Sequence, residues 1–139
     1  MLDFVQAVSD HLARLAGLDE DALHWVSVAV RESVINAIKH GNAGDARKRV
    51  HVELTPLETS APRGIAIRVR DEGPGFDPDT LPDPLAPENL LKSSGRGIFL
   101  IRSFMDEVVV QHAPEGGMEV LMVKRSSAPN RTTALSASE

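Results

Sequence analysis

Residues 65–76 read IAIRVRDEGPGF, and how that stretch divides decides the architecture. Ile65, Ile67 and Val69 fall on every second position, the period of a strand with one buried face. Asp71-Glu72-Gly73-Pro74-Gly75 then ends the run. Gly and Pro in this order are ordinary turn chemistry. The same residues also suit a ligand loop, with a carboxylate to accept from an exocyclic amino group and glycines where a flat ring approaches backbone. Taken alone, the pentapeptide leaves both readings open.

Working outward, Phe4, Val8, Leu12 and Leu15 recur at helical spacing and Gly17 interrupts them. Asp19-Glu20-Asp21 supplies a cap and negative charge for a second helix, whose apolar stripe is Leu23, Val26, Val30, Val34 and Ala37. Gly41-Asn42 is its stop signal. Val50, Val52 and Leu54 then alternate as a strand that precedes the one at 65–69. Beyond the opening stretch, FDPDTLPDPLAPENLLKSS holds four prolines and is longer than an ordinary connection. GIFLIRSFM, 97–105, resumes a helix, and strands at 107–112 and 118–124 follow, joined by APEGG. Helix, helix, two strands, long loop, helix, two strands is not the alternation of a doubly wound sheet. It predicts an α+β two-layer sandwich, a mostly antiparallel sheet with helices on one face. A single domain over 1–125 is expected, with 126–139 as a polar, disordered tail.

Composition narrows the function. Fifteen basic against twenty acidic residues give a net charge of −5, so no chain-wide positive field attracts nucleic acid. No cysteine is present, the N-terminus lacks a signal-peptide pattern, and no apolar run approaches the roughly 20 residues that cross a bilayer. A cytoplasmic protein with no membrane partner is expected. The five histidines, at 11, 24, 40, 51 and 112, lack the spacing of a helical zinc pair. Trp25 is expected in the core.

Glu32 and Asn36 stand four apart on the second helix, off the apolar stripe, with Lys39 and His40 a turn further on. A carboxylate beside an amide can take a proton or orient a nucleophile while the amide oxygen helps to hold Mg²⁺. Gly95-Arg96-Gly97 opens a helix, whose first N–H groups and positive dipole end suit phosphate. Each signal alone is also a solvated helix face, a turn or a loop. Their order along the chain carries more than any one of them.

That order resembles the GHKL ATPase superfamily with its Bergerat fold. ESVINAIKHG (32–41) is similar to the N box, DEGPGF (71–76) to the first glycine box, and GRGIFLI (95–101) to the second. Within the superfamily the chain looks most like the small serine/threonine protein kinases that act as bacterial anti-sigma factors, through Asn-Ala-Ile-x-His-Gly, the short Ser-Gly-x-Gly and SFMDEVVV. The resemblance implies ATP and Mg²⁺ as cofactors and Glu32 as the catalytic base. It implies Asn36 on Mg²⁺, Asp71 on the adenine amino group, and Gly73 and Gly75 beside the ring. It places Gly95 and Gly97 at the phosphates, and 77–94 as an ATP lid. Lys39 and Arg96 are further nucleotide-binding candidates. Implied partners are a sigma factor, a STAS-type anti-anti-sigma protein that is phosphorylated on Ser or Thr, and a second copy in a homodimer. The family's first strand has almost no room before the first helix here, so it is expected to be short or missing. A competing reading is a regulatory module whose nucleotide tunes partner affinity without phosphotransfer.

Overall fold

The computed structural model describes residues 2–57, 63–74 and 101–126. Helix α1 spans Leu2–Leu15 and α2 spans Glu20–Asn36. Strands β1 (His51–Leu57), β2 (Gly64–Arg70), β3 (Glu107–His112) and β4 (Met118–Arg125) follow. They form one antiparallel sheet in the order β1-β2-β4-β3. Residues 101–104 are helical, and the turn closes with Met105 N–H donating to the Ile101 carbonyl at 2.9 Å. The α+β arrangement read from the sequence is therefore present, with all four strands within a residue or two of their expected positions.

α2 forms for legible reasons. Asp19 caps it, accepting the Ala22 N–H at 2.8 Å, and Glu20 and Asp21 complement the dipole in the first turn. Leu23, Val26, Val30, Val34 and Ala37 are all buried, as the stripe predicts. They meet Ile65, Ile67, Val69 and Met122 from one sheet face, and Ile101 and Met105 join the same core. Trp25 is only half-buried. Its ring lies on Phe104 with centroids 3.5 Å apart and planes 2° apart, tying α2 to the helical turn at 101–104.

α1 departs from its expected face. Phe4 is 68% exposed and Leu15 56% exposed, whereas Ser9 and Ala13 are buried and Leu2, Val5 and Leu12 pack partly against the core. The apolar surface of α1 is wider than one stripe, and close approach to α2 selects its small residues. Gln6 secures that approach, its Nε2 donating to the Ser27 carbonyl and hydroxyl.

The C-terminal end of α2 is the second departure. Gly41-Asn42 does not end a regular helix: Ala37–Gly41 forms one turn of π-helix, closed by Asn42 N–H donating to the Ala37 carbonyl at 2.8 Å. Such turns insert an extra residue and recur at functional sites. Here the inserted residue brings Gly41 up to the end of β2. Among the described residues no strand precedes α1, and β1 pairs only with β2.

Candidate functional site

β2 ends at Arg70, and Asp71 follows directly. Asp71 is only 5% exposed, yet its neighbours account for half of its carboxylate. Oδ1 accepts the Gly73 N–H at 2.9 Å and the Met118 N–H at 3.2 Å, while Asp71 N–H donates to the Met118 carbonyl at 3.0 Å. Oδ2 has no hydrogen-bond partner among the described residues. Among the described residues the side chain is thus pinned through one oxygen, with no donor on the other.

Three glycines make this packing achievable. A Cβ at Gly41 would lie 2.0 Å from Asp71 Oδ2, one at Gly73 would lie 1.8 Å from the Gly41 carbonyl oxygen, and one at Gly117 would lie 2.0 Å from the Asp71 carbonyl oxygen. The space beside Gly73 is accordingly filled by the backbone of the π-turn. Gly117, in the β3–β4 hairpin, also has a positive φ of 82°.

A second layer supports the loop. Asn42, 2% exposed, accepts the Glu72 N–H through Oδ1 at 2.8 Å and donates through Nδ2 to the Arg49 carbonyl at 3.0 Å. Glu72 answers with its carboxylate. Oε1 accepts the Arg49 N–H at 3.0 Å and Oε2 lies 2.8 Å from His51 Nε2. The His51 contact, and then the Arg49 N–H, hold the Glu72 carboxyl below its ordinary range.

Glu32 and Asn36 are half-buried on α2, and Lys39 is exposed on the π-turn. Among the described residues no side chain pairs with any of the three. Asn36 lies five positions before Gly41, which touches Asp71, so the helix end that carries Glu32 and Asn36 abuts the carboxylate within about two turns. The structure therefore brings Asn36, Lys39, Asp71 and Gly73 to one end of the fold. Gly75, Gly95, Arg96, Gly97 and the lid at 77–94 lie outside the described residues, as does the tail from 127 onward. Asn42, Gly41, Gly117 and the Met118 amide were not singled out from the sequence as site residues. Asn42 in particular reads there only as helix punctuation, and backbone donors leave no trace in residue type.

The donor set can be tested against the implied cofactors. An acceptor oxygen held in place and lacking a partner among the described residues fits an exocyclic amino group. The half-buried Asn36 amide on α2, to which no side chain pairs among the described residues, carries an oxygen of the hard donor type that suits Mg²⁺. Among the described residues no helix is long and apolar enough to cross a membrane.

The histidine kinase-like ATPase domain matches residues 2–124. Similar proteins include an anti-sigma F factor of Oceanobacillus iheyensis, 38% identical over 77% of this chain and 72% of the relative. A serine-protein kinase RsbW of Staphylococcus aureus is 35% identical over 78% of this chain and 69% of the relative. A serine-protein kinase RsbW of Listeria monocytogenes is 29% identical over 81% and 72%. With the fold, the loop after β2 and a match across nearly the whole described chain in agreement, the protein belongs to the histidine kinase-like ATPase domain family.

Proposed function

We propose that this chain is an ATP-dependent serine/threonine protein kinase that acts as an anti-sigma factor. Its substrate would be a Ser or Thr hydroxyl of a STAS-type anti-anti-sigma protein, and it would sequester a sigma factor when that antagonist is phosphorylated. The observation that carries the reading is Asp71, pinned through Oδ1 with Oδ2 lacking a partner among the described residues, beside the turn that ends the helix bearing Glu32 and Asn36. The names of the relatives, anti-sigma F factor and serine-protein kinase, support it.

Bound ATP supplies the γ-phosphoryl group and Mg²⁺ neutralises phosphate charge. The chain's own residues do the rest. Asp71 Oδ2 accepts from the adenine amino group and fixes the base. Glu32 takes the proton of the attacking hydroxyl or orients it, and the Asn36 amide oxygen would be the protein ligand of Mg²⁺. Lys39, Gly95, Arg96 and Gly97 would serve the phosphates, Gly73 and Gly75 the loop around the base, and 77–94 the lid. We place a homodimer within the same proposal.

Glu32→Gln tests the chemical role. With Mg-ATP and the antagonist, wild type is expected to leave acid-stable phosphate on Ser or Thr. The variant should lose about 10²–10⁴ in rate while ATP affinity stays within a fewfold. Normal ATP binding without any transfer by wild type would remove the kinase reading. An unchanged rate in Glu32→Gln would remove the assignment of that residue.

A further inference from the structure

Asp71 does not hold its own geometry. Its Oδ1 depends on the Gly73 N–H, so the path of residues 71–73 decides which oxygen faces a ligand. That path is set from outside β2. The Glu72 N–H, in the middle of the loop, is held by Asn42 Oδ1 at 2.8 Å, and Asn42 is anchored at its other end by the Arg49 carbonyl. Asn42 is itself placed by the π-turn, through its own N–H on the Ala37 carbonyl. One buried amide thus joins three segments: the end of the helix that carries Glu32 and Asn36, the entry to β1, and the loop that carries Asp71.

We infer that Asn42 is a positioning residue for base recognition: its side-chain amide locks residues 71–73 in the one path that leaves Asp71 Oδ2 facing the base. The inference rests on the reading of Asp71 as the acceptor of the adenine amino group. A short polar side chain is required at 42. Only an amide supplies an acceptor for Glu72 and a donor for Arg49 from the same planar group, at 2% exposure where water cannot replace either. Glu72 and His51 close the network on its exposed side, yet they bond Arg49 and each other and leave the Glu72 N–H to Asn42 alone.

The test separates a lost specificity from a loosened fold. ADP and inosine diphosphate carry the same phosphates, but the inosine base has a carbonyl where adenine has the amino group, so only ADP presents an exocyclic amino donor to Asp71 Oδ2. Calorimetry on the full chain gives the ratio of the two affinities. Wild type should prefer ADP by at least tenfold. Asn42→Ala should weaken ADP about tenfold and inosine diphosphate less than twofold, so that the preference collapses. Asn42→Ser, whose hydroxyl can accept the Glu72 N–H and donate to the Arg49 carbonyl without burying a charge, should retain more of the preference than Asn42→Ala. It also guards against an alanine variant that does not fold. Equal losses for both nucleotides in Asn42→Ala would overturn the inference, as would a preference in Asn42→Ser no greater than that in Asn42→Ala. If wild type shows no preference, the Asp71 reading fails first and takes this inference with it. If wild type prefers ADP and Asp71→Asn abolishes the preference while Asn42→Ala keeps it, only the role of Asn42 is refuted.

Discussion

At the scale of single residues, Gly41 and Gly73 meet as backbone against backbone and backbone against carboxylate, with no room for one more carbon. A methyl at 73 would sit 1.8 Å from the Gly41 carbonyl oxygen, and a methyl at 41 would sit 2.0 Å from Asp71 Oδ2. The Gly41 carbonyl is backbone, and the Asp71 side chain is pinned through Oδ1, so the loop itself must move. Gly73→Ala is expected to cost about 1–3 kcal/mol in urea unfolding and to weaken nucleotide binding together with stability. Wild-type stability in Gly73→Ala would mean that the loop and the π-turn are not in contact. Gly44, whose Cβ would meet nothing within 4 Å, marks the contrast: its φ of 72° makes it a conformational glycine, while 41 and 73 are glycines of close approach.

At the scale of elements, the β3–β4 hairpin reaches the site through a charge cluster on the sheet face away from the helices. Arg68 on β2 donates to Glu115 Oε1 at 2.8 Å and to Glu53 Oε2 at 2.9 Å, and pairs with the buried Glu119. Arg70 donates to the Gly116 carbonyl at 3.1 Å. These contacts hold the hairpin against β2, and the hairpin delivers the Met118 N–H to Asp71. Arg68 pulls the Glu115 carboxyl from 4.5 to about 2. A carboxyl lowered on folding adds stability that is fully present above its unfolded pKa and disappears as pH falls through its folded one. This contribution is therefore complete above about pH 5 and fades between about 4.5 and 2. Because Glu115 is exposed, solvent screens it, and the expected signature is a slope, not a large loss. Denaturant midpoints taken from pH 5 down to pH 2.5 should fall less steeply for Glu115→Gln than for wild type. Parallel curves would show that the hairpin is not held by this pair.

At the scale of the whole molecule, what was legible followed periodicity. Ile65, Ile67 and Val69 announce the central strand, and the stripe from Leu23 to Ala37 announces the helix that covers it, because both patterns are dictated by one buried face. α1 was less legible. Phe4 and Leu15 have the right spacing, but helix approach favoured the small Ser9 and Ala13, and volume at a helix contact is not written in hydrophobic period. The π-turn was invisible for a similar reason: Gly41 and Asn42 are ordinary stop residues, and only the partner across the gap, Asp71, shows why one more residue is inserted. Asp71 itself was legible by its place after a strand and before glycines, whereas its supports, Asn42 and the Met118 N–H, depend on contacts 30 and 47 residues away in sequence. That pinning makes one substitution decisive. Since Oδ1 already receives two N–H donors, an amide at 71 must place its oxygen there and turn its NH₂ toward the ligand, donor against donor. Calorimetry with Mg-ADP and Mg-ATP on wild type and on Asp71→Asn should therefore show binding by wild type and at least a tenfold loss in the variant, with thermal unfolding unchanged within a few degrees. Absence of nucleotide binding by folded wild type, or equal affinity in Asp71→Asn, would contradict the account.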